Sequence, residues 1–370
     1  MIIRKITLHK ISLKLKDPFE TSFGRFATRE TVIVKAETKN GLVGYGEAPT
    51  LSLPFYNEEY TDGAFELLKH VIAPNVVKKN LQSIDDLYKT YSWIKLHQIA
   101  KTGVESAYWH LKGLESKKPL WKLWGGTRTE IPVGISLGLE STVAKIMANV
   151  TRWVEVEKIM RVKIKIKPGM DYQIAKAVRK KYPHIMLMLD ANSAYTLKDL
   201  PLFKKLDQFN LLMIEQPLGH DDIIDHSALQ KHLKTPVCLD ESITSLEKAR
   251  QAIQIKAGKI INIKPPRVGG YWQAKLIAEY CQKHHIPVWC GGMMDSGWGR
   301  TLQLHISSLK NFSLPNDNAG TKRYFVDDIV TKPLVVKTNS HIDVPNSPGT
   351  GFAIDERSLG QHTLKKAVIE

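Results

Sequence analysis

At 370 residues, with 43% hydrophobic and 24% charged side chains, the chain has ample length for a large buried core and a globular composition, which excludes disordered and fibrous classes. No stretch approaches the roughly 18 uninterrupted apolar residues of a membrane span, and three cysteines without CxxC spacing exclude a disulfide framework and a cysteine zinc site. The formal net charge of +16 invites a nucleic-acid reading, but Lys and Arg are spread along the chain, mostly on helix faces, without a long basic run or aromatic-interleaved patch. A solvated basic surface in a reducing, cytoplasmic setting is expected, with neither nucleic acid nor membrane as partner.

Ile2 to Leu15 alternates polar and apolar side chains and reads as a strand rather than a signal peptide. Thr31–Thr38 is a second strand, and Asn40-Gly41 supplies the hairpin signal before a third at Val43–Glu47. Pro18 to Gly24 is a loop by composition. Helical patterns follow at about 58–77, 83–93 and 98–116, with Ser83 and an acidic first turn marking one helix start.

From about residue 131 short apolar strands alternate with amphipathic helices. Strands are predicted at 132–137, 161–167, 185–190, 211–215, 236–240, 260–264, 286–291 and, weakly, 312–316, with helices such as Asp171–Tyr182 and Gly270–His284 between them. Repeating βα units favour a parallel sheet, and eight of them favour closure into a barrel. The expected fold is α/β: a (β/α)7β TIM-like barrel over 126–321, an N-terminal α+β capping domain over 1–125, and a C-terminal segment, 322–370, that completes the capping domain.

Asp190, Glu215 and Asp240 end three successive predicted strands, 25 residues apart twice over, and Lys264 ends the next. Barrels gather catalytic groups at the C-terminal ends of their strands. Three converging carboxylates would repel one another, and a hard divalent cation resolves this; the all-oxygen set suits Mg2+, with Mn2+ also accommodated. On the second strand, Lys163, Lys165 and Lys167 share one face and Val162, Ile164 and Ile166 the other, so the lysines are predicted to point inward. Desolvation should lower the pKa of such a lysine unless carboxylates compensate, and a lowered lysine is a usable base near neutral pH.

Strands two and six of eight are diametrically opposed, so Lys165 and Lys264 are expected to face each other across the mouth with the acids between them. That arrangement suits removal of a proton from a carbon next to a carboxylate, with a cation stabilising the enediolate oxygens. Asn192, Glu241 and Arg267 adjoin the strand-end residues and are candidates for orienting them. Gly291–Gly299 reads as a substrate-facing loop rather than a phosphate cradle, and His284 and His285 fall at the wrong end of a strand for catalysis.

Taken together these residues resemble the enolase superfamily, in its muconate-lactonising-like group and the branch of o-succinylbenzoate synthases and N-acylamino acid racemases, whose sites pair a lysine or histidine base with Mg2+. The likeness is carried by Pro18–Gly24, Gly44–Glu47, Tyr60–Gly63, Gly125–Val133 and a Lys-x-Lys element anchored on Pro168-Gly169. It implies Lys165 as acid/base, Lys163 as its electrostatic neighbour, Lys264 as the opposite-face lysine, and Asp190, Glu215 and Asp240 as metal ligands. Ser22, Phe23, Met293, Asp295 and Ser296 lie in the loops that would choose the substrate, a small-molecule carboxylate, and a homo-oligomer is implied.

The chain departs from the family pattern at Asp295, where Glu is usual, at Trp298, where an aliphatic is usual, and over Leu314–Gly320; these changes bear on substrate preference. Asn316-Asp317-Asn318 lacks the Asp-x-Asp of dipeptide epimerases, and Lys264 replaces the His–Asp pair of mandelate-racemase relatives. Two reactions fit the same residues. One is syn-dehydration of 2-succinyl-6-hydroxy-2,4-cyclohexadiene-1-carboxylate to o-succinylbenzoate, a menaquinone-pathway step. The other is racemisation of N-acyl, in particular N-succinyl, amino acids. A non-catalytic basic binding or scaffold barrel is the reading of another class, and it makes the inward charges dispensable.

Overall fold

In the computed structural model, which describes residues 1–22, 24–320 and 323–370, polar–apolar alternation carries the first two strands well past their predicted ends. β1 (Ile3–Thr21) and β2 (Gly24–Thr38) form a long antiparallel hairpin, paired from Ile3 with Thr38 to Thr21 with Gly24. Pro18–Gly24, predicted as a loop, is therefore mostly strand. The register shifts between Lys14 and Phe19, so Pro18 falls where the ladder is interrupted and its missing N–H is not needed. Phe23 lies outside the described residues. β3 (Val43–Ala48) extends the sheet on one side and β13 (Thr363–Ile369) on the other, in the order β13-β1-β2-β3, so the end of the chain returns to the N-terminal sheet.

The predicted helix over 58–77 is broken into Thr61–Leu67, a wider turn at Leu68–Ile72 and Ala73–Val76. Ile84–Tyr91 starts at Ser83 through a reciprocal Ser83–Asp86 capping box. The buried helix Gln98–Glu115 packs on the sheet at a backbone-to-backbone approach: a Cβ on Gly46 would lie 2.0 Å from the Gly103 carbonyl oxygen.

In the second half, the predicted strand 132–137 is split. β4 (Glu130–Pro132) pairs antiparallel with β12 (His341–Asp343), and only β5 (Ile135–Leu137) enters the large sheet. β6 (Arg161–Lys165), β7 (Met186–Asp190), β8 (Met213–Glu215), β9 (Val237–Leu239), β10 (Ile260–Ile263) and β11 (Val288–Cys290) follow, giving a seven-stranded parallel sheet in sequence order with helices between successive strands. The strands are short and buried on both faces, which is why they read as apolar runs. Residues 312–316 form no continuous strand; they make single parallel bridges, Phe312 to Val288 at one edge of the sheet and Asn316 to Val133 beside the other. Among the described residues no helix is long and apolar enough to cross a membrane.

The two halves are joined by a buried acid. Glu105, in the helix Gln98–Glu115, accepts hydrogen bonds from the Tyr271 and Trp272 backbone N–H groups at 3.0 and 2.9 Å, capping the helix Tyr271–Lys283, and from Trp109 Nε1 at 2.8 Å. Gly270 (φ +125°) lets the backbone come this close, since a Cβ there would sit 2.6 Å from the Glu105 carboxyl carbon. Glu105→Ala strands three buried donors and is expected to destabilise the fold by about 1–3 kcal/mol, read as a lowered melting temperature, with Glu105→Gln losing less.

Candidate active site

Strand register brings the charged groups together. Lys165, Asp190 and Glu215 are lateral neighbours at the C-terminal ends of β6, β7 and β8, while Asp240 and Lys264 directly follow β9 and β10. Asp190, Glu215 and Asp240 are fully buried, and Lys163, Lys165 and Lys264 keep only 2, 8 and 5% of their surface. Lys167 is exposed beyond the end of β6, so alternation carries two lysines inward and not three.

Lys163 is the centre of the cluster. Its Nζ lies 2.6 Å from Glu215 Oε2, 2.9 Å from Asp190 Oδ2 and 3.3 Å from Asp317 Oδ2, and 4.9 Å from the centre of the Trp289 ring. Burial alone would discharge it, but Asp190, Asp317 and Glu215 outweigh burial and hold its pKa well above the usual lysine range. Lys165 Nζ donates to Asp190 Oδ2 and Asn192 Oδ1, both at 2.5 Å. Asn192 in turn donates from Nδ2 to Glu241 Oε1 at 2.7 Å, in a left-handed backbone conformation (φ +40°) that aims its amide at both partners. Ser22 Oγ donates to the Asn192 carbonyl at 3.2 Å.

On the opposite side, Lys264 Nζ donates to Asp240 Oδ2 at 2.8 Å and to the Tyr56 hydroxyl at 3.2 Å, and stands 4.6 Å from the centre of the Tyr56 ring. Arg267 donates to the other Asp240 oxygen and, at 3.1 Å, to the Tyr56 hydroxyl. Burial works against the Lys264 charge, but Asp240, Tyr56 and Glu241 raise its pKa above the ordinary value. Carboxylates therefore over-compensate desolvation at both Lys163 and Lys264, which for Lys163 is the exception the sequence argument allowed.

Three all-oxygen donors on adjacent strand ends fit a hard divalent cation. Burial and the neighbouring Asp190 push the Glu215 carboxyl well above its usual range, and its Oε2 accepts no well-directed hydrogen bond despite its closeness to Lys163. Added positive charge would relieve both conditions. Among the described residues no three His, Cys, Asp or Glu side chains form a ready-made ion cage, since the acids are turned onto their cationic neighbours. A cavity of about 660 Å³ opens beside the cluster, lined by Phe55, Tyr56, Asn192, Glu241, Lys248 and Arg267. Burial and Asp240 push the Glu241 carboxyl up to about 7.

The loop after β11, Gly291–Ser296, is anchored by buried polar contacts. Asp295 is buried and accepts from the Met293 backbone N–H (2.8 Å) and Gln303 Nε2 (2.6 Å), bracing the loop from inside. Ser296 donates from its N–H and Oγ to Glu47 at 3.1 and 2.7 Å, and Arg29 donates to the Met293 carbonyl, so the loop is tied to the N-terminal sheet. Trp298 is buried against Tyr45 and His110. His284 and His285 are exposed before β11, away from the cluster.

Several members of the site have weak sequence signals or none. Asn262 donates to Glu215 Oε1 at 2.7 Å and accepts from the Gly291 N–H at 2.8 Å; the one clue is a polar residue in the apolar run of β10, two before Lys264. Asp317 accepts from Arg161 Nη2 at 2.7 Å while pairing with Lys163, and comes from an irregular segment. Tyr56 lies in an unpatterned stretch.

Two family profiles cover most of the chain: the mandelate racemase / muconate lactonizing enzyme N-terminal domain matches residues 3–125 and the enolase C-terminal domain-like profile residues 145–358. The chain belongs to the enolase superfamily. It is 42% identical to the o-succinylbenzoate synthase of Geobacillus kaustophilus over 98% of this chain and 96% of that protein. It is 40% identical to the N-succinylamino acid racemase of Thermus thermophilus over 95% of this chain and 94% of that one. A solved enolase-superfamily structure from Listeria innocua, 38% identical, superposes with a TM-score of 0.96 over 100% of this chain and 99% of that one.

Asn262→Ala removes a donor from buried Glu215 and an acceptor from Gly291. A loss of about 1–3 kcal/mol in stability is expected by denaturant titration, and an unchanged midpoint would show that Asn262 is not a support of this site.

Proposed function

We propose that this chain is an o-succinylbenzoate synthase, with N-succinylamino acid racemisation as a second activity of the same site. The observation that carries the reading is the near-full-length likeness to a curated enzyme of the first name, joined to a buried cluster of Lys163, Lys165, Lys264, Asp190, Glu215 and Asp240 that suits proton transfer next to a carboxylate. The racemase reading is supported by the comparable likeness to the Thermus thermophilus racemase and by the presence of a second lysine. A scaffold role gives no reason to bury so many charges against desolvation.

Lys165 is the base. Asn192 and Asp190 hold its Nζ at the edge of the cluster, where it removes the proton from the ring carbon bearing the substrate carboxylate. The electron pair moves into the carboxylate as an enediolate. Lys264, kept as the ammonium, offsets the developing negative charge from the other side, and Lys163 adds fixed positive charge from below. Lys165 then returns its proton to the neighbouring ring hydroxyl on the same face, the C–O bond breaks, water leaves and the ring becomes aromatic. Asp190, Glu215 and Asp240 would hold Mg2+ (Mn2+ suits the same donors), which when bound supplies positive charge that acidifies the α-carbon. In racemisation the two lysines exchange protons on opposite faces.

The wider reading is a closed (β/α)7β barrel, supported by the bridges of Phe312 and Asn316 to both edges of the parallel sheet. A capping domain of 1–125 with 322–370 is supported by the return of β13 to β1. Three buried free cysteines fit a reducing cytoplasm, and assembly into a homo-oligomer follows the family resemblance.

With Mg2+ supplied, dehydration turnover is to be compared with α-proton exchange of N-succinyl amino acids in heavy water. Dehydration far faster than exchange is expected; efficient exchange with negligible dehydration would make the racemase the main activity.

A further inference from the structure

The excess positive charge is dispersed in the sequence but gathered in space. In a parallel sheet every strand begins at the same end. The last helical turns and the connections that lead from them into the strands, 152–160, 179–185, 204–212, 231–236, 255–259, 282–287 and 307–313, therefore all return to the end opposite Asp190, Glu215 and Asp240. They hold 13 Lys and Arg against 3 Asp and Glu, a net +10 of the chain's +16. The strand-to-helix connections at the active-site end, 166–170, 191–196, 216–223, 240–245, 264–270 and 291–296, hold 3 against 5.

Lysines in the last turn of a helix, such as Lys180, Lys205 and Lys283, are favoured by the helix dipole. That does not account for Lys158, Lys234, Lys259 and Lys310, which lie past the helix ends and are exposed. Nor does it account for the scarcity of acids. Asp207 is committed to the N–H groups of Lys234 and Thr235 at 3.0 and 2.9 Å, and Glu155 pairs with Lys181 at 3.1 Å. Among the described residues the other 12 cations of these connections have no carboxylate partner.

Apolar groups are exposed on the same face: Val156 (71%), Met160 (53%) and Ile255 (38%). Lys158, Met160, Lys181 and Tyr182 line a shallow groove of about 440 Å³ there. Eleven of the 13 cations are lysines, compact charges suited to headgroups rather than to planar recognition. No Phe, Tyr or Trp in these connections is fully exposed, Trp153 and Tyr182 being half-buried, so a platform for base stacking is lacking, which argues against a nucleic acid.

We propose that the strand-N-terminal end of the parallel sheet docks on an anionic lipid surface, its lysines over the headgroups and Val156, Met160 and Ile255 at the acyl boundary. The active-site mouth then faces the water. This departs from the sequence-level expectation of no membrane partner, and it gives a physical account of the +16 charge.

The test is co-sedimentation of the full chain with phosphatidylglycerol–phosphatidylcholine vesicles and with phosphatidylcholine alone. Binding to the anionic vesicles only, released by high salt, is expected. The quadruple variant Lys158→Glu, Lys205→Glu, Lys234→Glu, Lys259→Glu should bind at least about tenfold more weakly, with dehydration turnover unchanged. A control set on the N-terminal half, Lys39→Glu, Lys89→Glu, Lys95→Glu and Lys118→Glu, should bind as the natural chain does. No binding to anionic vesicles at low salt, equal binding to neutral ones, or equal loss in the control set would overturn the proposal. So would retention of duplex DNA, but not of vesicles, through the four lysines.

Discussion

One buried ammonium holds the cluster together. Lys163 lies within 3.3 Å of carboxylate oxygens from β7, β8 and the irregular segment that follows Asn316, and each of those acids would be costly to bury without it. The arrangement works only if β6, β7 and β8 keep their register, because a slip of one residue would turn Lys163 and Lys165 toward the helices. The charge pattern and the sheet topology therefore specify each other. Asp317 adds a second constraint, since its pairing with both Lys163 and Arg161 fixes a segment that has no continuous strand of its own.

The approach to the site is held by polar groups from the N-terminal half. Tyr56 touches Lys264 and Arg267, and three residues later Glu59 accepts from the Ile99 and Ala100 N–H groups at 2.7 and 2.8 Å, pinning the Tyr56 stretch to the start of the helix Gln98–Glu115. The same helix clamps Tyr271 and Trp272 through Glu105, and Glu47 and Arg29 hold the loop after β11. Buried hydrogen bonds of this kind are directional. They set the loop positions more narrowly than apolar contact would.

The ladder of Asp190, Glu215, Asp240 and Lys264 was legible because short parallel strands repeat with a fixed phase, and the phase survives in the spacing. Alternation on β6 was legible too, but it carried Lys167 inward because nothing in the pattern marks Lys165 as the last strand residue. Pro18 and Gly24 misled for a related reason: a register shift tolerates residues that composition assigns to loops. Tyr56 and Asp317 were not legible, since each reaches the site from irregular backbone whose path depends on tertiary contacts. The raised pKa of Lys163 and Lys264 needed distances to three-dimensional partners. The concentration of charge on one end of the sheet was invisible as a sum along the chain and follows only from strand direction.

The central claim is that Lys165 carries the proton while Lys163 and the acids supply the frame. Its most direct test is Lys165→Ala, followed by dehydration turnover together with far-ultraviolet circular dichroism and thermal unfolding. Turnover should be abolished with the fold and melting behaviour intact, since Asp190 keeps Lys163 as its partner. Retained turnover in a folded Lys165→Ala protein would contradict the assignment.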